Sequence, residues 1–346
     1  MIETQPMNHQ VGFKKLLVVC SGSVDDRKAL RRAAVLADEG GAEVEIFSVV
    51  GPQPGADFVS TLGGASQDRL DALRREDRST AITEHLQETG LSADTSITVV
   101  TGKPFLEIVR HVMASECDLV VKAAVHFGAL HQQIFGSEDL HLLRKCPVPV
   151  WIVRDAHVSD AGPIPQAMPE KPLVIAAVDF DLDADDDASA VSSEEALNQH
   201  IVGAALEIAR VHGAGLTLIH AWEAPAEGLL QRAAPGISTD EVTAYVHSVE
   251  RRHRAALDVL AGQVRSAGAA AGVPVSGILL RGDPDEIIPA HVNEAGPLAL
   301  VMGTVGRSGI YGVIIGNTAE DILTAIDGSV LAVKPPDFHT PLHFED

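Results

Sequence analysis

The chain has 346 residues, with 48 acidic against 26 basic side chains and a formal net charge of −22. Such a balance excludes a nucleic-acid binder, whose affinity depends on clustered Lys and Arg displacing counterions, and 4 % aromatic content leaves few rings for stacking on bases. With 46 % apolar and 21 % charged residues the chain is globular, and its length suits two domains. Cys20, Cys117 and Cys146 are odd in number and form no C-x-x-C pair, which predicts a reducing, cytoplasmic setting. Residues 1–12 show neither the basic nor the apolar region of a secretory leader, and no apolar run approaches the roughly 20 residues of a bilayer span.

Short apolar runs alternate with longer amphipathic stretches, the pattern of βαβ units building a parallel sheet. Leu16–Cys20 is predicted as a strand buried on both faces, followed by a helix over Asp25–Gly40 that Gly40-Gly41 stops. Strands follow at Val44–Val50 and Ser96–Thr101, separated by a long polar helix over Ser66–Gly90. Gly102-Lys103-Pro104 turns into a helix over Phe105–Ser115. Leu119–Lys122, a helix near Glu138–Arg144 and a strand at Val148–Val153 complete the first unit. Arg154–Lys171, with Pro163, Pro165 and Pro169 and no periodicity, reads as an interdomain linker.

The same order then repeats. Leu173–Val178, Leu216–Trp222, Val275–Leu280, Leu298–Met302 and Val330–Val333 match the five strands, and Gly282-Asp283-Pro284 matches the earlier turn. The offset is 158 from Ser21 to Asp179, 172 from Ser48 to His220, and 180 both from Gly102 to Gly282 and from Gly136 to Gly316. The second copy therefore carries about 14 extra residues between its first two strands and about 8 more before the turn.

After the fourth strand of the second copy, five glycines fall within the fourteen residues from Gly303 to Gly316, just before a helix. Ligands of open α/β sheets sit at such strand ends, where glycine lets backbone approach a phosphate and a helix N-terminus offers unpaired N–H groups. Asn317 and Thr318 suit N-capping or hydrogen bonding to phosphate oxygens.

The spacing Gly303-x2-Gly306-x9-Gly316-Asn317 resembles the nucleotide loop of the ATP-binding universal stress proteins. Over nearly the whole chain the sequence is similar to the tandem form of that family. Supporting segments are Gly303–Arg307, Gly316–Glu320, Ala29–Ala33 and His141–Trp151. The resemblance implies an α/β fold with two tandem, doubly wound, parallel five-stranded sheets of order 3-2-1-4-5, packed as a pseudo-dimer, with a homodimer as a further assembly. The expected domains are 1–155, a linker at 156–171, a second domain at 172–336 and a tail at 337–346.

The resemblance further implies ATP as the ligand. Asp179 and the backbone at Ala221 would hold the adenine side, Gly303 and Gly306 the ribose and phosphates, and Gly316, Asn317 and Thr318 the phosphate tail. Gly282, the turn glycine after the third strand, completes the set. Residues Asp181 to Glu195 hold seven acids and no base, so ATP is expected to arrive with Mg²⁺. In the first copy Ser21 replaces the acid, and Lys122 and Val125 are aligned with the first two glycines, which predicts a structural role for that domain. The expected function is a stress-response nucleotide sensor or platform for protein partners, with at most slow ATP hydrolysis.

Two other readings stay open. A nucleotide-independent scaffold would use Leu229-Leu230 and Ile310–Ile315 to line a cavity for a hydrophobic, lipid-like ligand. Ser21-Gly22-Ser23-Val24-Asp25-Asp26 resembles the phosphate loop of N-type ATP pyrophosphatases, with Ser23 and Asp25 as its working residues. Asp181–Asp187 lacks the Gly and Glu of an EF-hand loop, and His247 and His253 lie among Arg251, Arg252 and Arg254, so no metal is expected.

Overall fold

In the first half the elements are β1 (Lys15–Val19), α1 (Asp26–Gly40), β2 (Glu43–Val50), α2 (Gln67–Leu86), β3 (Ser96–Thr101), α3 (Pro104–Ser115), β4 (Leu119–Ala123), α4 (Ser137–Lys145) and β5 (Val150–Val153). The second half repeats them as β6 (Leu173–Ala177), α5 (Ala188–Val211), β7 (Gly215–Trp222), α6 (Glu227–Ala233), α7 (Thr239–Ala270), β8 (Val275–Arg281), α8 (Pro284–Ala295), β9 (Ala299–Gly303), α9 (Asn317–Ala325) and β10 (Val330–Val333). This computed structural model describes residues 12–51, 67–124, 136–154, 172–180, 182, 188–233, 237–304 and 315–342. The predicted linker, apart from Arg154, and Gly306 lie outside that set.

Local chemistry explains the small shifts from the predicted bounds. β5 begins after Pro149, whose ring removes a ladder donor while its carbonyl still accepts from Val120 N–H (3.0 Å). Pro104 serves as the first residue of α3, where a missing N–H costs nothing. Gly41, at φ 72°, closes α1 by donating to Ala37 O, a left-handed position that favours glycine. The additional residues of the second half lengthen the helix after the first strand and add α6 ahead of α7.

Within each half the strands run parallel in the expected order, 3-2-1-4-5. The two halves do not form separate sheets. They fuse into one ten-stranded sheet, β3-β2-β1-β4-β5-β10-β9-β6-β7-β8, through an antiparallel seam that pairs Trp151 with Leu331. β5 and β10 are short and wholly buried, and each would otherwise present a bare apolar edge of unpaired N–H and C=O groups.

Helices α1, α2, α5 and α7 cover one face and α3, α4, α8 and α9 the other, each over an apolar core that runs across the seam. Gly268, late in α7, is where that helix meets the turn into β8. A Cβ there would stand 2.7 Å from Val275 Cγ2 and 2.8 Å from Val273 O. Backbone cannot yield as a side chain can, so Gly268→Ala is expected to cost about 1–3 kcal/mol, read as a lowered urea midpoint.

Candidate functional site

The candidate residues of the second half gather at the carboxyl ends of β6, β7, β8 and β9 and at the start of α9. β6 leaves the ladder at Val178, whose N–H donates to Ile219 O (3.0 Å). Asn198 of α5 then clamps the next peptide: it accepts from Asp179 N–H (3.2 Å) and donates to Asp179 O (2.6 Å). Phe180 N–H donates to Asp179 Oδ1 (2.9 Å), and the carboxylate remains 59 % exposed. The acid is therefore oriented from behind by its own peptide.

Behind it lies a pair of imidazoles. His220, 1 % exposed on β7, places Nδ1 3.1 Å from Val178 O and 3.9 Å from Asp179 Oδ1. Its Nε2 is 2.8 Å from Nδ1 of His253 on α7. Because a carbonyl only accepts, a neutral His220 carries its proton on Nδ1 and accepts from His253 at Nε2. Phe180 meets the His220 ring edge-on, and Trp222 lies beyond His253 with the Arg281 guanidinium 5.6 Å from its ring centre.

Ala221 pairs with Leu280 of β8 but lies past the last β6–β7 pair, Ala177 with Ile219, so its strand has a neighbour on one side only. Gly282 extends β8 by donating to Trp222 O (3.0 Å) at φ 141°, a conformation that side chains strain. Gly303 ends β9, and a Cβ on it would meet Leu197 Cδ2 at 2.9 Å, so this glycine lets α5 approach the strand end. Gly316 N–H donates to Thr304 O (3.1 Å), joining the two feet of the Gly-rich loop. Gly316 is also the N-cap of α9; it brings no side chain to the helix start, where Asn317 and Thr318 stand exposed.

The first half is built differently at the same place. The ladders put Ala123, not Lys122, in register with Gly303: Ala123 pairs with Val153 as Gly303 pairs with Val333. The spacing to Gly136 then equals that from Gly303 to Gly316, and counting along the chain sets His126 rather than Val125 against Gly306. Lys122 projects to the other face and pairs with the buried Asp139 (2.6 Å). At the end of β1, Asp26 folds back so that its carboxylate accepts from Ser21 N–H (3.0 Å), Ser21 Oγ (3.0 Å) and Gly22 N–H (2.6 Å). Burial pushes the Asp26 carboxyl above its usual range, against those hydrogen bonds. The turn proposed as a pyrophosphatase phosphate loop is thus already filled by an internal carboxyl group. Ser23 is bonded to Ser21 Oγ (2.8 Å), and Asp25 pairs with Lys28 (3.3 Å).

One correspondence survives the divergence. Ser48, in register with His220, donates to Cys20 O (2.7 Å), as His220 does to Val178 O, and receives Arg78 of α2 (3.1 Å) where His220 receives His253. Sequence spacing gave no sign of the His220–His253 contact, 33 residues apart, nor of Asn198; the one visible clue was a histidine inside the apolar run Leu216–Trp222.

The apolar cavity is placed in part. Leu230 lines an open space of about 450 Å³ with Ile237, Val242 and Val246, but Glu227, Gln231, Thr239, Thr243, His247 and Arg281 make its wall more polar than apolar. Leu229 instead faces solvent, and Ile315 is buried in the core of the face that carries α9. Residues 310–314, and Asp181–Asp187 except Leu182, lie outside the described set.

Comparison with known proteins agrees with this architecture. The profile of the Universal stress protein family matches residues 12–154 and again 189–334. Universal stress protein E of Salmonella typhi is 29 % identical over 344 residues, covering 96 % of this chain and 98 % of that one. The homologue from Haemophilus influenzae is 25 % identical over 93 % of this chain and 98 % of its own length. Among solved structures, a universal stress protein from Archaeoglobus fulgidus superposes with a TM-score of 0.58 at 17 % identity, over 95 % of this chain and 99 % of that one. A functionally unknown protein from Pseudomonas aeruginosa PAO1 gives 0.56 at 21 % identity, over 94 % of each chain. Two profile matches in tandem, spread over a duplicated sheet whose strand order they share, make this chain a member of the universal stress protein family with two family domains.

Proposed function

We propose that the second domain binds ATP, with Mg²⁺, and that the chain serves the stress response as a nucleotide-dependent sensor or interaction platform rather than as a rapid catalyst. The observation that carries this reading is the asymmetry between the halves. In the second, Asp179 stands at the strand end with an exposed carboxylate, its peptide held by Asn198; in the first, the corresponding turn is filled by Asp26, while both α4 and α9 begin at a glycine without a side-chain cap. The exposed acid suits ribose or adenine donors, and the helix start, with Gly316, Asn317 and Thr318, suits the phosphate tail. The backbone at Ala221, Gly282, Gly303 and Gly306 would line the remainder.

Protein purified and denatured is expected to release an adenine nucleotide, and ATP with Mg²⁺ to raise the melting temperature by several degrees. Asp179→Ala should weaken ATP at least about tenfold in calorimetry while keeping the Asn198 clamp, which bonds the peptide; loss of the Phe180 N–H bond should cost stability about 1 kcal/mol. Absence of both nucleotide release and a thermal shift overturns the reading. A second reading, an apolar ligand that binds beside Leu230 independently of nucleotide, is disfavoured by the polar side chains that line that space. Asp179→Ala would leave such binding intact.

A further inference from the structure

We infer that Lys334 is a positioning residue: from the end of β10 it fixes the foot of the β9–α9 loop to helix α4 of the first domain, so that the loop and the end of α4 respond to one another. Lys334 is 5 % exposed, and its three ammonium donors are accounted for. One goes to Thr304 Oγ1 (3.0 Å), one to Leu143 O of α4, and the third lies toward the Phe338 ring, whose centre is 4.7 Å from Nζ. Its own carbonyl meets His200 Nδ1 of α5 at 3.3 Å.

Thr304 is fully buried and is the first residue of the loop. Its N–H donates to Val333 O (3.2 Å), its carbonyl accepts from Gly316 N–H (3.1 Å), and its hydroxyl is held by Lys334. Leu143 lies in the last turn of α4, where carbonyls lack helical partners and the macrodipole is negative, so an ammonium is favoured there. A single Nζ therefore bridges the loop of one domain and a helix terminus of the other.

The first half supplies a control within the same molecule. Arg154, at the end of β5, reaches across the seam in the opposite sense and donates to Ile326 O (2.7 Å) at the end of α9. The residue in register with Thr304 is Ala124, whose N–H donates to Val153 O (3.0 Å) but which has no hydroxyl to engage. The one seam is tied by a cation from each side, and only the tie in the half with the Gly-rich loop is fastened to the loop foot. Burial lowers the Lys334 ammonium to about 8, so it remains mostly charged at neutral pH. A buried ammonium set against a hydroxyl and a carbonyl contributes geometry more than stability, since an apolar residue of that volume would avoid the desolvation.

The coupling needs no ligand; that it reports occupancy of the loop rests on the nucleotide reading above. The test is amide hydrogen exchange on the full chain without nucleotide, read at Gly316, bonded to Thr304 O, and at Cys146, bonded to Leu142 O at the end of α4 (2.9 Å). Thr304→Val should speed exchange at Gly316 at least about fivefold and at Cys146 at least about threefold, while Thr304→Ser, which keeps the hydroxyl, restores both. Lys334→Met should speed both sites, with Thr304→Val adding little in the double variant. If Thr304→Val speeds Gly316 but leaves Cys146 at the wild-type rate, or if the double variant is additive, the inference is overturned, and the Thr304 pair decides even if Lys334→Met does not fold. With ATP and Mg²⁺ added, protection at Cys146 should appear in wild type and vanish in Lys334→Met. ATP that fails to bind wild type sinks the nucleotide reading and leaves the ligand-free result standing.

Discussion

Trp151→Ala is expected to lower the free energy of unfolding by about 3–5 kcal/mol, measured by urea denaturation followed by circular dichroism. Trp151 is fully buried at the middle of β5 and pairs with Leu331 across the seam. Its ring meets His212, just after α5, edge-on at 5.8 Å between centroids, so it packs on both halves at once. The cavity left by truncation would be walled by elements of two domains that cannot collapse inward without breaking the seam ladder. Trp151→Phe is the informative control. The indole N–H has no hydrogen-bond partner among the described residues, so the replacement removes volume without stranding an acceptor, and it should cost well under half as much. Equal losses for Phe and Ala would mean that the indole N–H is satisfied in solution by a buried water.

The second large effect is a loss of stability in mild acid. His212 donates from Nδ1 to Ile208 O (2.9 Å), while its Nε2 is buried without a partner among the described residues. Burial first, and then the Arg32 guanidinium, hold this imidazole down at about 4, against 6.5 for an ordinary histidine. The unfolded chain therefore takes up a proton between these values while the folded chain refuses it. Stability from this residue is fully present above pH 6.5 and is lost as pH falls toward 4, by at most about 3 kcal/mol at 1.36 kcal/mol per pH unit. His212→Gln, which keeps an amide donor for Ile208 O and does not titrate, should flatten that slope between pH 6.5 and 4. A wild-type and a variant profile that remain parallel through this window would show that the ring is hydrated.

Much of this architecture is legible in the chain before any coordinates. Continuous apolar runs such as Leu16–Cys20 and Val330–Val333 can only be strands covered on both faces, and the paired Gly-x-Pro turns fix the repeat. The order of strands within each half followed from resemblance, and the sheet realises it. What stayed hidden depends on partner choice over long separations. That β5 would join β10 is written in neither tetrapeptide, since each is apolar on both faces and would pair with any edge. Lys122 shows how narrow the margin is: side chains alternate across a strand, so one residue of register moves a lysine from the loop face to a salt bridge with Asp139. In the candidate site, Asp179 and Gly316 announced themselves by position, whereas Asn198 and the His220–His253 pair depend on how two helices lie against the sheet.

The seam also sets an order on synthesis. Trp151 and its neighbours emerge early, but the strand that covers their edge is β10, about 180 residues later and the last strand among the described residues. Until it arrives, the first domain stands complete except for a bare, wholly apolar strand, the kind of edge that recruits other chains. A ribosome that stops before Val330 would release a protein in which both β5 and β9 lack their shared partner, leaving an adhesive flank. The final strand is thus the stitch that makes the nascent chain safe to let go.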